Sequence, residues 1–473
     1  VQILKSVNGY GRGELGITMS GHSNQRLPIK NYSRVSTLDY IRRNRQVTKS
    51  ELSSVTGLTF MAIKKIIEEL TELHLIREDS VESGGLGRRA VTYVINEDYG
   101  YTVGLHINIF RTGAAVMDLH GKILARETMG MEQSNTSQAM FIEKIVSLVK
   151  SVIRKSGVKQ EKILGLGIGA PGPVNSNSGI ILTPPNAAWL RYLPLKQIME
   201  DKLGLPTLLQ KDTNAIAMGE YWRGAGVGYQ DMIYIDADMG IGSGMILQGK
   251  IHQGANYIAG EFGHMTLDLD GPQCNCGNFG CLEAMGSGIA ILRDMSAHLE
   301  NEPEHSLYRK RKNLVMDDIL EAANNHDPLA ISIFNNSACY MGAAIGSLIN
   351  IVDPEVIILG GMLMLGYQPY FEIVRDTLSH KRIQGVRDSV IVPTRLADSA
   401  GIIGAGEIVA DHYFTAVVKD VLDKKMPSIK GEKYADAFER YTNVCGIFNY
   451  LKELKEKALN KSNIVTVGEA NGV

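Results

Sequence analysis

Hydrophobic positions change their period twice along the chain. From residue 36 they recur at helical spacing, with Leu38 and Ile41 on one face; Thr48 and Glu51 then form the cap and third-position carboxylate that open a second helix, which Gly57 breaks. Thr59 starts a third helix in which Ile63, Ile66, Ile67, Leu70 and Leu73 repeat on one side. Residues 75–78 and 90–94 read as two short strands around a glycine-rich basic tip at 83–89, so residues 36–98 are expected to form a winged helix-turn-helix. Residues 1–35 hold no sustained period and are expected to be a flexible arm. The chain does not open on methionine, as expected of a processed or truncated start.

After Asn96 the texture becomes that of an α/β domain, with a boundary near residue 99. Residues 101–107, 112–117 and 122–128 predict a three-strand meander, followed by a helix over 137–156 and a strand over 163–168. A similar order restarts with strands at 232–238, 244–247 and 250–251, then long helices, then a strand at 356–359. This weak repeat predicts two related lobes. One takes residues 99–228 plus a C-terminal helix at 400–413, and the other takes 229–399. Residues 414–473 carry Phe438, Tyr441, Phe448, Tyr450 and Leu451 at partly helical spacing, which predicts a helical extension that covers an oligomer interface or binds a protein partner.

Composition narrows this picture only modestly. At 473 residues, 44% hydrophobic and 21% charged, the chain has the balance of a globular protein of two or three domains. No apolar run approaches bilayer length and the N-terminus is not signal-like, so a cytoplasmic protein without membrane insertion is expected. A net charge of −2 excludes nucleic-acid binding over the whole surface but not through a local patch. Such a patch is present: Lys30, Arg34, Arg42, Arg43, Arg45, Lys49, Lys64 and Lys65 face only Asp39 and Glu51 before residue 68. Thr59, Phe60, Met61 and Lys64 at the start of the third helix are the candidates for base edges in a major groove. Lys49 and Lys65 suit phosphates, and Arg88 and Arg89 of the wing suit the neighbouring minor groove. The alternative for this module is a small helical unit that binds protein.

Chemistry concentrates between residues 261 and 283, EFGHMTLDLDGPQCNCGNFGCLE, which hold three of the five cysteines. His264, Cys274, Cys276 and Cys281 suit a closed tetrahedral structural zinc site. Carboxylates and amides nearby can pair with hydroxyls that both donate and accept. A histidine with one ring nitrogen on the metal keeps the other for such a hydroxyl.

Together the winged helix, GAPGPV at 169–174, KDTNAIAMGE at 211–220, GIGSG at 240–244, Glu261-x-x-His264 and CNCGNFGCLE resemble the ROK family of repressors, open reading frames and sugar kinases, over roughly residues 36–413. The resemblance implies a two-lobed, actin-like (ribonuclease H-like) fold, a sugar or sugar phosphate in the cleft, and a homodimer or homotetramer. Its motifs place Asn186, Asp212, Glu261, His264 and Glu283 on the sugar, with Asp212 where the kinases keep a catalytic base. Two positions depart from the kinase pattern. The Asp-x-Gly-Gly-Thr phosphate loop is replaced by His106-Ile107-Asn108-Ile109-Phe110, and Lys211 stands where an asparagine is common; it is expected to meet a sugar hydroxyl, a sugar phosphate or Asp212. Because phosphoryl transfer relies on positioning and charge stabilisation, loss of that loop predicts a sugar-sensing repressor of operator DNA without kinase activity. The rivals are a sugar kinase carrying a DNA-binding domain, and an activator or scaffold that senses a transporter component.

Overall fold

The computed structural model describes residues 29–44, 46–80, 91–108, 111–130, 137–380 and 390–423. The N-terminal module is a winged helix. Helices Ile29–Arg43, Lys49–Thr56 and Phe60–Glu72 pack on a three-stranded sheet of Val47–Thr48, Ile76–Ser80 and Val91–Ile95, with Val91–Ile95 in the centre. Thr48 caps the second helix in a full capping box with Glu51, and Gly57 ends it in the left-handed conformation. Thr59 caps the third helix, which buries Ile63, Ile66, Ile67 and Leu70.

Two boundaries differ from the expectations. The first helix begins at Ile29, not residue 36, so the predicted arm is seven residues shorter: Arg34 pairs with Glu69 of the third helix at 2.7 Å and is buried, a long-range contact that helical periodicity does not reveal. The C-terminal helix runs Ala400–Asp423, through the boundary expected at 413, because Phe414 is buried under the winged helix. The wing tip with Arg88 and Arg89, Ile109 and Phe110, and the aromatic positions beyond 423 lie outside the described residues.

Two five-stranded sheets make up the remainder, and they share one design. In the first, Tyr101–His106 pairs antiparallel with Arg111–Asp118, which pairs antiparallel with Ile123–Gly130; on its other side it pairs parallel with Ile163–Ala170, which pairs parallel with Thr207–Lys211. In the second, Met232–Ala237, Ile241–Leu247, Lys250–Ile251, Val356–Gly360 and Val390–Pro393 repeat that order and those directions. The internal repeat read from the sequence is therefore a repeated sheet.

Helix Gln138–Ser156 covers one face of the first sheet with Phe141, Ile145, Val149 and Val152. The 25-residue helix Pro328–Val352 is central to the core of the second lobe. Between the sheets lie helices Asp212–Arg223 and Ala400–Asp423, whose Ala215, Ala217, Ala400 and Ala405 share a core with Met232 and Tyr234. Helix Asp212–Arg223 is buried from Thr213 to Trp222.

The winged helix is built into this core. Leu38, Ile41 and Ile67 share a buried cluster with Leu119, Leu164, Val409, Ala410 and Phe414. Arg42, with its side chain fully buried, ion-pairs with Glu407 at 2.5 Å and stacks 3.9 Å above the Trp222 ring. Arg223 holds the other oxygen of Glu407 at 2.6 Å.

Candidate functional site

The exposed face of the third helix carries Phe60 and Met61, 52% and 69% exposed, with Lys64 and Lys65 also at the surface. Among the described residues nothing covers these two large apolar side chains at the helix N-terminus. Lys49 lies 5.2 Å from the Tyr93 ring, within reach of a cation–π attraction, and Thr59 caps the helix while remaining exposed. The basic patch read from the sequence is smaller than expected. Arg34 and Arg42 are buried in ion pairs, and Arg43 stacks on Tyr221 at 4.1 Å, because the first helix turns those side chains toward the interior.

Residues 264–281 form a compact loop. Cys274 Sγ lies 3.6 Å from His264 Nδ1 and Cys276 Sγ 3.7 Å from Cys281 Sγ, and one donor atom from each of the four lies within 4.8 Å of the others. A tetrahedral zinc with sulfur ligands at about 2.3 Å needs sulfurs roughly 3.8 Å apart, so the cluster fits such an ion. Burial pushes the Cys274 thiol up to about 12, and a bound cation is what would favour its thiolate. Gly280 is required where it stands: φ is +61° and a Cβ would meet Asp268 O at 1.5 Å.

This loop also aims the cleft. Cys281 is the N-cap of the short helix Leu282–Gly286, which carries Glu283. His264 uses Nδ1 toward the cysteines, so Nε2 faces the other way, 3.8 Å from Glu261.

All five residues singled out for sugar contact line one cavity of about 130 Å³. Glu283 accepts from the Asn186 amide at 3.3 Å and from the Ile241 N–H at 2.9 Å. The Asn186 carbonyl accepts from Asn275 at 2.9 Å, which fixes the amide orientation. Asp212 opens helix Asp212–Arg223 and accepts from the Thr213 N–H at 2.7 Å. Lys211 is buried and its amine is held by Gly260 O at 3.1 Å and Glu261 at 3.0 Å. The partner that the structure gives Lys211 is none of the three expected for it: its amine ion-pairs with Glu261, tethering that carboxylate beside Asp212.

Burial pushes the Asp212 carboxyl up to about 6, against the pull of Lys211 and the Thr213 N–H. Two further acids that sequence reasoning missed stand behind it. Asp236, at about 8, and Asp238, also raised, are both lifted first by burial, and Asp236 next by its neighbour Asp238. Their i, i+2 spacing at the end of a strand puts both on one face, the signal that was available. Gly244 lets this strand pair touch the cleft helix, since a Cβ there would meet Thr213 O at 2.2 Å; the GIGSG glycines serve close approach.

A second cavity of about 530 Å³ adjoins the first and shares Asn108, Asp236, Asp238 and Met239 with it. In its wall is His106, whose buried Nε2 has no partner among the described residues and whose imidazole is lowered to about 4 by burial. A neutral ring therefore stands where the kinase pattern has a carboxylate. Ile107 is buried in the core of the first lobe.

The model of the ROK family matches residues 102–412. The chain belongs to the ROK family. A xylose repressor from Bacillus spizizenii is 27% identical over 390 residues, 82% of this chain and 97% of that protein. A crystal structure of a ROK family transcriptional regulator, a homologue of the E. coli MLC protein, superposes with a TM-score of 0.68 at 25% identity, covering 83% of this chain and all of that one. A ROK family glucokinase from Streptomyces griseus, solved with glucose and AMPPNP, is 30% identical with a TM-score of 0.59 and covers 65% of this chain. The ROK domain is thus shared with both branches, whereas the repressor and regulator matches extend over a larger share of the chain. Among the described residues, no helix of this ROK protein is long and apolar enough to cross a membrane.

Proposed function

We propose that the protein is a sugar-responsive transcriptional repressor that binds operator DNA through Thr59, Phe60, Met61 and Lys64, with Lys49, Lys65, Arg88 and Arg89 on the backbone and minor groove. The observation that carries this reading is the winged helix fused into the sugar lobe, with its recognition helix exposed and its inner face buried against helix Ala400–Asp423.

In the cleft, Asn186, Asp212, Glu261, His264 and Glu283 would hold the hydroxyls of a sugar, or of a sugar phosphate. A structural zinc held by His264, Cys274, Cys276 and Cys281 would fix the cleft wall. Helix Asp212–Arg223 starts at the cleft with Asp212 and ends at the DNA-binding module with Trp222 and Arg223. Twelve residues at about 1.5 Å rise make a rigid span of roughly 17 Å. Ligand that favours one placement of Asp212 thereby favours one placement of Trp222 against Arg42. Coupling of this kind is usually worth about 1 to 3 kcal/mol. A homodimer, placing two recognition helices on a palindromic operator, is the assembly this reading requires.

The kinase reading is opposed by His106, a neutral, partly buried imidazole in the wall of the second cavity, where the kinase pattern has a carboxylate. Selection of the full-length protein on a randomised duplex library should enrich an inverted repeat, and a sugar panel including xylose, glucose and N-acetylglucosamine should release it. Absence of any enriched sequence, or ATP turnover stimulated by one of these sugars, would overturn the proposal.

A further inference from the structure

The cavity that gathers the five sugar contacts measures about 130 Å³, small beside the about 300 to 1,000 Å³ of ordinary small-molecule sites. It does not end at Asp212. Asn108, Asp236, Asp238 and Met239 belong to its lining and also to that of the neighbouring cavity of about 530 Å³. Space for a ligand therefore continues past one sugar ring.

Two kinds of surface meet in that continuation. Met239, Leu292, Val315, Met362 and Leu365 of the second lobe give it an apolar wall, on which Val315 and Leu365 are 55% and 49% exposed. Where the cavities join stand Asp236 and Asp238, both partly exposed. Tyr234 donates to Oδ1 of Asp236 at 3.0 Å, and the Met239 N–H donates to Oδ1 of Asp238 at 2.7 Å. Oδ2 of each has no hydrogen-bond partner among the described residues, yet it is not walled off from solvent.

Charge decides what fits there. Burial raises both carboxyls, and no cation lowers either. A phosphate at the junction would meet two acids without compensation. The arginines of the second cavity are already engaged, Arg111 with Asp398 at 3.5 Å and Arg126 with Ser399 at 2.8 Å. A hydroxyl, by contrast, pairs with a carboxyl in either protonation state. One face of a pyranose ring carries mainly C–H groups, which suits the apolar wall.

We propose that the effector is an uncharged disaccharide or longer saccharide, with one ring in the first cavity and the next in the second. The second ring sets its hydroxyls on Asp236 and Asp238 and its C–H face on the wall that ends in Val315 and Leu365. This rests on the sugar reading of the cleft and narrows it, since it makes a bare monosaccharide or a sugar phosphate the weaker ligand.

Isothermal titration of the full-length protein tests this by comparing xylose with xylobiose, glucose with cellobiose, maltose and glucose 6-phosphate, and N-acetylglucosamine with its disaccharide. One disaccharide should bind at least tenfold more tightly than its own monosaccharide. Val315→Ser/Leu365→Ser, at two exposed positions outside the core, should abolish that advantage and leave monosaccharide affinity unchanged, whereas Glu283→Gln should weaken both ligands. Equal affinity for every monosaccharide and its disaccharides, tighter binding of the sugar phosphate, or a disaccharide advantage untouched in the double variant would overturn the proposal while leaving the cleft a sugar site. Failure of every sugar to bind would overturn the sugar reading as well.

Discussion

Arg42 of the first helix and Glu407 of the last ROK helix are 365 residues apart in sequence and form a buried ion pair at 2.5 Å. Breaking such a pair from one side leaves a charge without compensation, at a cost of about 3 to 5 kcal/mol. Glu407→Ala should lose that much in chemical denaturation, because it leaves Arg223 without its carboxylate and Arg42 with only Asp411 at 3.4 Å. Arg42→Ala combined with Glu407→Ala should cost clearly less than the sum of the two singles. Burial raises the Glu407 carboxyl, but Arg223 and Arg42 outweigh it and hold it below the ordinary glutamate value. Its contribution to stability is present above that ordinary value and lost as pH falls through the depressed one, which denaturation midpoints between pH 6 and 3 would register.

Metal analysis of protein purified without added metal should give close to one zinc per chain. Cys281→Ser should lose the metal, and because Cys281 caps the helix of Glu283, sugar affinity should fall with it. Changing the residues that brace a metal site commonly costs about 10- to 100-fold in affinity. A variant that lost zinc but bound sugar normally would separate the loop from the cleft.

Asp212 gives the cleft a pH dependence. Its carboxyl ionises near 6, and an ionised carboxylate accepts from a sugar hydroxyl, so affinity should rise as pH increases through that value. One pH unit below the midpoint the loss should be about tenfold. Asp212→Asn should flatten the profile. For folding the sign is the reverse: the ionised, buried carboxylate costs the folded state above about 6, and the cost disappears below the ordinary aspartate value.

Lys65 is exposed on the third helix, so it is available to a phosphate. Lys65→Ala should weaken all duplexes alike and lower the slope of log affinity against log salt by about 0.9. Phe60→Ala or Met61→Ala should instead change which operator bases matter, as read in competition gel shifts. Arg88→Ala with Arg89→Ala should reduce operator affinity if the wing enters the minor groove.

The parts of the fold legible in the sequence were those set by local rules. Capping by Thr48 and Thr59 and the buried period of the third helix need only neighbours a few residues away. Cys274, Cys276 and Cys281 sit within one loop, so their gathering was legible too. Arg34, Arg42 and Arg43 were misread as a phosphate patch because their partners Glu69, Glu407 and Tyr221 are distant in sequence. Asp236 and Asp238 were missed for a related reason: they matter only once the second sheet lies behind Asp212. The fate of Lys211 likewise depends on Glu261, fifty residues away.

The shared core of Leu38 and Ile41 with Val409, Ala410 and Phe414 has a practical corollary for engineering. Cutting the chain after residue 98 and transplanting the winged helix onto another sensor would expose an apolar face on both fragments. A workable hybrid must carry the Ala400–Asp423 helix along with residues 29–98, or import a receiving surface of the same shape.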